Sequence, residues 1–167
     1  MQRLILLRHG KAESVAATGG DFERGLTERG QRDAALIGRT LAEAGVVPDL
    51  AIVSAARRAR ETWAAASPAF PYARCETSRV LYLASSEQLA HTALNATEPV
   101  NCLILVGHNP GMHDFAISLF GDKGPLAGTP LASGFPTAAA AVFRVDPSGA
   151  SVFERLFLPR DHGGGPV

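Results

Sequence analysis

Aliphatic residues cluster in five short runs, at 4–7, 50–53, 103–106, 139–145 and 152–158, separated by stretches of mixed polarity. The first and third are apolar at every position instead of alternating. Strands covered on both faces read this way, so these two are expected to be central strands of a parallel or mixed sheet. A weaker strand is expected over 78–83.

Between the runs the spacing turns helical. Thr27 is placed to cap a helix with Glu28 in its first turn, and Gly30, Ala34, Ile37, Leu41 and Ala44 form one small or apolar stripe before Gly45 and Pro48 end it. Residues 57–66 and 86–96 have helical composition, the latter starting from Ser85 or Ser86 as a cap, and a further helix is expected from Pro110 to about Phe120. Strands alternating with helices predict an α/β fold, a three-layer α/β/α sandwich with a mostly parallel central sheet. There is no internal repeat. The Gly- and Pro-rich stretch 121–136 is expected to be a loop, and "DHGGGPV" a frayed end, giving a single domain over 1–158 and a flexible tail over 159–167.

The length of 167 residues fits one self-sufficient core, and 46% hydrophobic with 19% charged residues describes an ordinary globular chain. Sixteen basic residues balance sixteen acidic ones, so no global positive charge is available to hold nucleic acid or an anionic membrane. The apolar run at 4–7 is too short for a signal-peptide core or a membrane span, which points to the cytoplasm. Cys75 and Cys102 lack the spacing of a redox or zinc motif and are expected to be plain buried thiols.

Candidate chemistry sits where strands end. Arg8 and His9 follow the first run, Arg58 lies shortly after the second, and Gly107, His108, Asn109 and Pro110 follow the third. Ligands of open α/β sheets bind at the carboxyl ends of strands, so these groups are expected to converge on one pocket. Guanidiniums and imidazoles together suit a phosphoryl dianion, and the helix after Pro110 could add backbone N–H groups. Each motif alone has an ordinary explanation: Arg57, Arg58 and Arg60 as a solvated helix start, "GHNP" as a turn. Their joint occurrence after strands carries the argument.

"LLRHGKAE", "RGLTERGQRDAALIG", "SAARRARET" and "LVGHNPG" together closely resemble the histidine phosphatase superfamily, especially its small SixA-like phosphohistidine phosphatase branch. The likeness runs from residue 3 to about 145 and includes "FPTAAAAVFRV". It implies that His9 is a nucleophile forming a covalent phosphohistidine, and that Arg8, Arg58 and His108 hold the phosphoryl oxygens. Arg24 would join that pocket by matching the family's Arg-x-Leu-Thr segment. The other nitrogen of His9 is expected to donate to a backbone carbonyl. No metal or other cofactor is implied.

Two departures stand out. Many relatives have Ser-Pro where this chain has Ser54 and Ala55, a change in the turn more than in the chemistry. The acidic residue that phosphoglycerate mutase-like relatives carry after the second arginine has no clean match in "RVLYLASSEQL", leaving Glu13, Asp21 and Glu87 as general-acid candidates beside plainer roles as loop or helix-start charges. Protonation of a phosphoramidate on nitrogen would lessen the need for a donor. Short connections predict an open pocket, favouring a phosphorylated side chain on a protein, or a small phosphoester, over an enclosed mutase reaction. A phosphatase acting on small-molecule or protein phosphoesters, and a phosphate-recognition module without turnover, are the alternatives. His91, His113 and His162 are expected to be ordinary polar residues and not metal ligands.

Overall fold

The computed structural model describes residues 1–96, 99–120 and 128–166. Among them lie six strands, β1 (Arg3–Arg8), β2 (Leu50–Ser54), β3 (Arg74–Ser78), β4 (Cys102–Gly107), β5 (Ala140–Val145) and β6 (Ser151–Phe157). Four α-helices separate them, α1 (Glu28–Glu43), α2 (Arg57–Ala66), α3 (Ser86–Leu94) and α4 (Gly111–Phe120). The strands form one sheet in the order β3-β2-β4-β1-β5-β6. β3, β2, β4 and β1 are mutually parallel, and β5 pairs antiparallel with both β1 and β6. Only β5 therefore runs against the rest, as the expected mostly parallel sheet requires.

Strand geometry sends successive side chains to opposite faces, and here both faces are covered. Leu4, Leu6, Leu103 and Leu105 pack with Leu89 of α3 and Met112 and Phe115 of α4. Ile5, Leu7, Ile104 and Val106 pack on the opposite side with Ile37 and Leu41 of α1 and Trp63 of α2. Continuous burial of β1 and β4 is thus the direct result of two helical layers.

Helix starts follow side-chain chemistry. Thr27 Oγ1 accepts from the Gly30 amide at 3.0 Å, and α3 carries a reciprocal pair between Ser85 and Gln88. The buried stripe of α1 includes Gly30, Ala34, Ile37 and Leu41 but not Ala44, which is exposed where Gly45, at φ 72, turns the chain. Gly30 is needed for close approach: a Cβ there would lie 2.1 Å from the Lys11 carbonyl oxygen.

Several expectations are corrected. Instead of a strand, residues 79–81 form a 3-10 turn that buries Leu81, and β3 precedes it. β3 escaped notice because it is an edge strand of polar, mostly exposed residues. For the same reason Cys75 is exposed, whereas Cys102 is buried as expected. Of the anticipated loop over 121–136, residues 121–127 lie outside the described residues, and Pro130–Ser133 form a 3-10 turn that buries Leu131.

Where a flexible tail is expected, residues 159–165 make defined contacts. Pro159–His162 make another 3-10 turn, His162 stacks on Phe157 with centroids 6.2 Å apart, and the Gly165 amide donates to Asp33 Oδ1 at 2.9 Å. A buried carboxylate on α1 needs donors, and the terminal glycines can approach closely enough to supply one. Among the described residues, no helix is long and apolar enough to cross a membrane.

Candidate active site

Neighbouring parallel strands bring their carboxyl ends together. Arg8 at the end of β1 stands in register with Gly107 at the end of β4, and Val53 of β2 with Val106 of β4. His9, Ser54 and His108 follow from this register. The His9 amide donates to the Gly107 carbonyl at 3.0 Å, and its carbonyl accepts from the Ala138 amide at 3.0 Å. The His9 backbone is thereby fixed between β4 and the segment entering β5.

The His9 ring is equally constrained. Nδ1 lies 2.7 Å from the Gly10 carbonyl oxygen, and since a carbonyl only accepts, Nδ1 carries the proton. Nε2 is left with its lone pair, and Arg58 Nε donates toward it at 3.3 Å. Burial, followed by the Arg58 and Arg8 charges, pushes the His9 pKa down to about 4. The ring is neutral at pH 7, with a nucleophilic nitrogen facing a cation.

Arg58 is 2% exposed, so its guanidinium needs partners at every edge. Besides His9, Nη1 donates to the Asp21 carbonyl at 2.7 Å and Nη2 to Asp21 Oδ2 at 3.1 Å. Asp21 also accepts from Tyr82 Oη at 2.6 Å and from Arg24 Nε at 2.9 Å. Arg24 Nη1 donates to the Glu13 carbonyl at 2.8 Å. The Tyr82 hydrogen bond, reinforced by Arg24 and Arg58, draws the Asp21 pKa down to about 2.

His108 is anchored by β2. Its Nε2 lies 2.7 Å from Ser54 Oγ, which also accepts from the Ala56 amide at 3.3 Å. With an acceptor position of Ser54 so occupied, the arrangement that uses its hydroxyl proton donates to Nε2 and places the imidazole proton on Nδ1. Burial, then the neighbouring His9 and Arg58, push the His108 pKa down to about 3. Arg8 Nη1 and Asn109 Nδ2 both donate to the Phe135 carbonyl at 2.9 Å. Arg8 Nε, His108 Nδ1 and Asn109 Oδ1 are buried without a protein partner among the described residues. Where relatives have proline, the Ala55 amide donates to the Ser78 carbonyl at 3.0 Å, a bond proline could not make.

These groups line an open cleft of about 360 Å³ that brings together Arg8, His9, Arg24, Arg58 and His108. Of the three acids considered, only Asp21 lines it. Its ionised, fully engaged carboxylate has no proton to give at neutral pH. Glu87 lies at the start of α3 and is held below its ordinary pKa by hydrogen bonds at that helix start, first to its own backbone. The amides of Met112 and Asp114 in α4 are occupied by the His108 and Pro110 carbonyls, at 3.0 Å each, so they do not serve the cleft. His91 is exposed, and His113 Nε2 lies 2.9 Å from the Leu131 carbonyl. No group of three or more His, Cys, Asp or Glu is gathered for a metal among the described residues.

Reading the chain alone overlooked Tyr82, Thr62 and Lys11. Tyr82 stands edge-on to His108, with centroids 5.7 Å apart, and came from a segment expected to be a strand. Thr62 Oγ1 accepts from the Gly10 amide at 3.0 Å and donates to the Arg58 carbonyl at 2.7 Å, tying α2 to the nucleophile loop. Nothing in the spacing of Tyr82 or Thr62 signals these roles. Lys11 lines the cleft and belongs to the quoted "LLRHGKAE".

A family model described as histidine phosphatase superfamily, branch 1, matches residues 4–81. SixA from Agrobacterium tumefaciens is 34% identical, with a TM-score of 0.84 over 95% of this chain and 98% of that one. A second SixA structure, from Nakamurella multipartitia, is 21% identical, with a TM-score of 0.81 over 95% of this chain and 96% of that one. The structure of "the protein histidine phosphatase SixA complexed with tungstate" is 23% identical, with a TM-score of 0.78 over 95% and 98% of the two chains. No curated protein sequence matches.

Proposed function

Because the chain belongs to the histidine phosphatase superfamily and is a phosphatase, we propose that it removes phosphoryl groups from phosphohistidine on proteins, with His9 as nucleophile. The observation that carries this reading is the His9 ring itself. Its Nδ1 is committed to the Gly10 carbonyl, and its Nε2 is neutral, lone-pair bearing and set against Arg58 inside a cationic cleft. A site that only bound phosphate would need the arginines and not this nitrogen.

The reaction has two displacements. His9 Nε2 forms a bond to phosphorus as the bond from phosphorus to the substrate's imidazole nitrogen breaks, and the electron pair returns to that nitrogen, so the imidazole departs neutral when its other ring nitrogen carries a proton. Water then attacks phosphorus, releasing orthophosphate and restoring His9. Arg8 Nε and His108 Nδ1 are buried donors without an acceptor among the described residues, suited to the phosphoryl oxygens, and Arg24 and Arg58 add positive charge. The step needs no metal, and orientation of the phosphoryl group falls to these side chains.

The choice of a phosphoramidate over a phosphoester rests on protons. Among the described residues the one acid lining the cleft, Asp21, is ionised, so none of them offers an alkoxide leaving group a carboxylic acid proton. The likeness to proteins named as phosphohistidine phosphatases agrees with this, and an open cleft suits a side chain presented by another protein. That openness also favours one second reading, hydrolysis of activated small phosphoesters whose leaving groups need no proton. Two cysteines kept as thiols, one of them exposed, support a cytoplasmic setting.

Turnover of a phosphohistidine peptide and of an aryl phosphate, in excess chelator, tests this. The wild-type protein is expected to favour the peptide in kcat/KM, to ignore the chelator and to trap acid-labile phosphate, and His9→Ala to do none of these. Full turnover by His9→Ala, or its loss on chelation, would overturn the mechanism, and equal kcat/KM for both substrates would overturn the substrate choice.

A further inference from the structure

The cleft has a built-in anion that the two displacements do not use. Arg8, Lys11, Arg24 and Arg58 bring four positive charges to its walls, and among the described residues Asp21 is its single acid. Asp21 is not a loose surface group. Its carboxylate and carbonyl occupy both terminal nitrogens of Arg58, and its other carboxylate oxygen holds Arg24. Tyr82 pins the carboxylate from a further side and is itself packed edge-on against Phe22, with centroids 5.0 Å apart.

We propose that Asp21 is a resident counter-anion of the phosphate site, clamped by Tyr82, which weakens the hold of Arg58 and Arg24 on orthophosphate and so speeds product release. The proposal rests on the phosphatase reading above. Arg58 has one guanidinium to share between two anions: its Nε edge faces His9, where phosphoryl transfer would occur, and its opposite edge faces Asp21. A negative charge one guanidinium away from a bound dianion repels it; solvent at the half-exposed Asp21 side chain moderates that repulsion, and the hydrogen bonds keep the charge at that distance. The free product meets that repulsion directly, and four unopposed cations would retain it.

Tyr82 matters because an aspartate on an exposed turn could otherwise swing into water. Hydrogen-bonded to the tyrosine and two arginines at once, the carboxylate stays in the site through the cycle. Asp21 and Tyr82 act through the arginines and are positioning residues in this scheme.

Asp21→Asn removes the charge and keeps the shape. Its Ki for orthophosphate, read as inhibition of aryl phosphate turnover and by isothermal titration, is expected to fall by about tenfold, with kcat lowered and the initial burst of phosphoenzyme retained. Tyr82→Phe keeps the charge and frees the carboxylate, so Ki should fall by a smaller factor. A purely structural role would shift Ki upward through a disordered pocket. An unchanged or higher Ki in Asp21→Asn overturns the proposal, and the phosphatase reading survives if wild-type turnover and its phosphoenzyme persist. A wild-type protein that neither turns over nor binds orthophosphate removes both.

Discussion

His9 Nδ1 and the carbonyl oxygen of Gly10 lie 2.7 Å apart, so the tautomer of the proposed nucleophile is set by its own neighbouring peptide. In many enzymes a carboxylate performs this task and adds a negative charge beside the ring. A carbonyl orients the ring without that charge, which leaves burial and the surrounding arginines to keep the imidazole neutral.

The first prediction concerns acid. His9 and His108, with pKa values lowered to about 4 and about 3, are both harder to protonate folded than unfolded. Stability linked to their neutrality is therefore present above pH about 6.5, and it is lost as pH falls from there through those two values. Nitrogen-detected NMR should show His9 neutral and protonated on Nδ1 down to about pH 4. The thermal midpoint should fall over the same range, and a His9→Gln protein should lose less of it.

Arg58→Lys is expected to fail as a conservative change. A lysine cannot donate at once toward His9 and to the two Asp21 oxygens as the guanidinium does. Loss of one charge-assisted contact is worth on the order of 1.5–3 kcal/mol, about ten- to a hundredfold in kcat/KM. Wild-type kinetics in the variant would take Arg58 out of the site.

How far the chain announces its own structure depends on what each residue answers to. β1 and β4 were readable because two covering layers demand unbroken apolar runs, and α1 because Thr27 and its buried stripe obey local rules. That Arg8, His9, Arg58 and His108 meet in one cleft was readable because strand ends converge. β3 was missed because an edge strand answers to backbone pairing and needs no apolar pattern. Tyr82 and Thr62 serve partners 61 and 52 residues away, Asp21 and Gly10, through single hydrogen bonds, and no short-range period encodes such a choice.

Ser54→Ala should reduce turnover by about tenfold through loss of one buried hydrogen bond to His108. The effect should fall on kcat more than on KM if His108 acts mainly on the transition state. Unaltered kinetics would show that His108 is oriented without Ser54.

Gly111→Ala should destabilise the fold. A Cβ at Gly111 would lie 1.9 Å from the Ala84 carbonyl oxygen, a backbone atom that cannot move without shifting the start of α3. The cost is expected on the order of 1–3 kcal/mol in urea unfolding, as for overpacked interiors. A change smaller than measurement error would mean that α3 yields.

Thr62 accepts from Gly10 and donates to Arg58, and Arg8 and Asn109 meet at the Phe135 carbonyl, so the cleft is stitched from four distant stretches of chain. No fragment of the polypeptide holds enough of them to form a cruder version. Heat or urea should thus shrink the population of competent molecules without creating sluggish ones, and residual turnover becomes a direct gauge of the folded fraction.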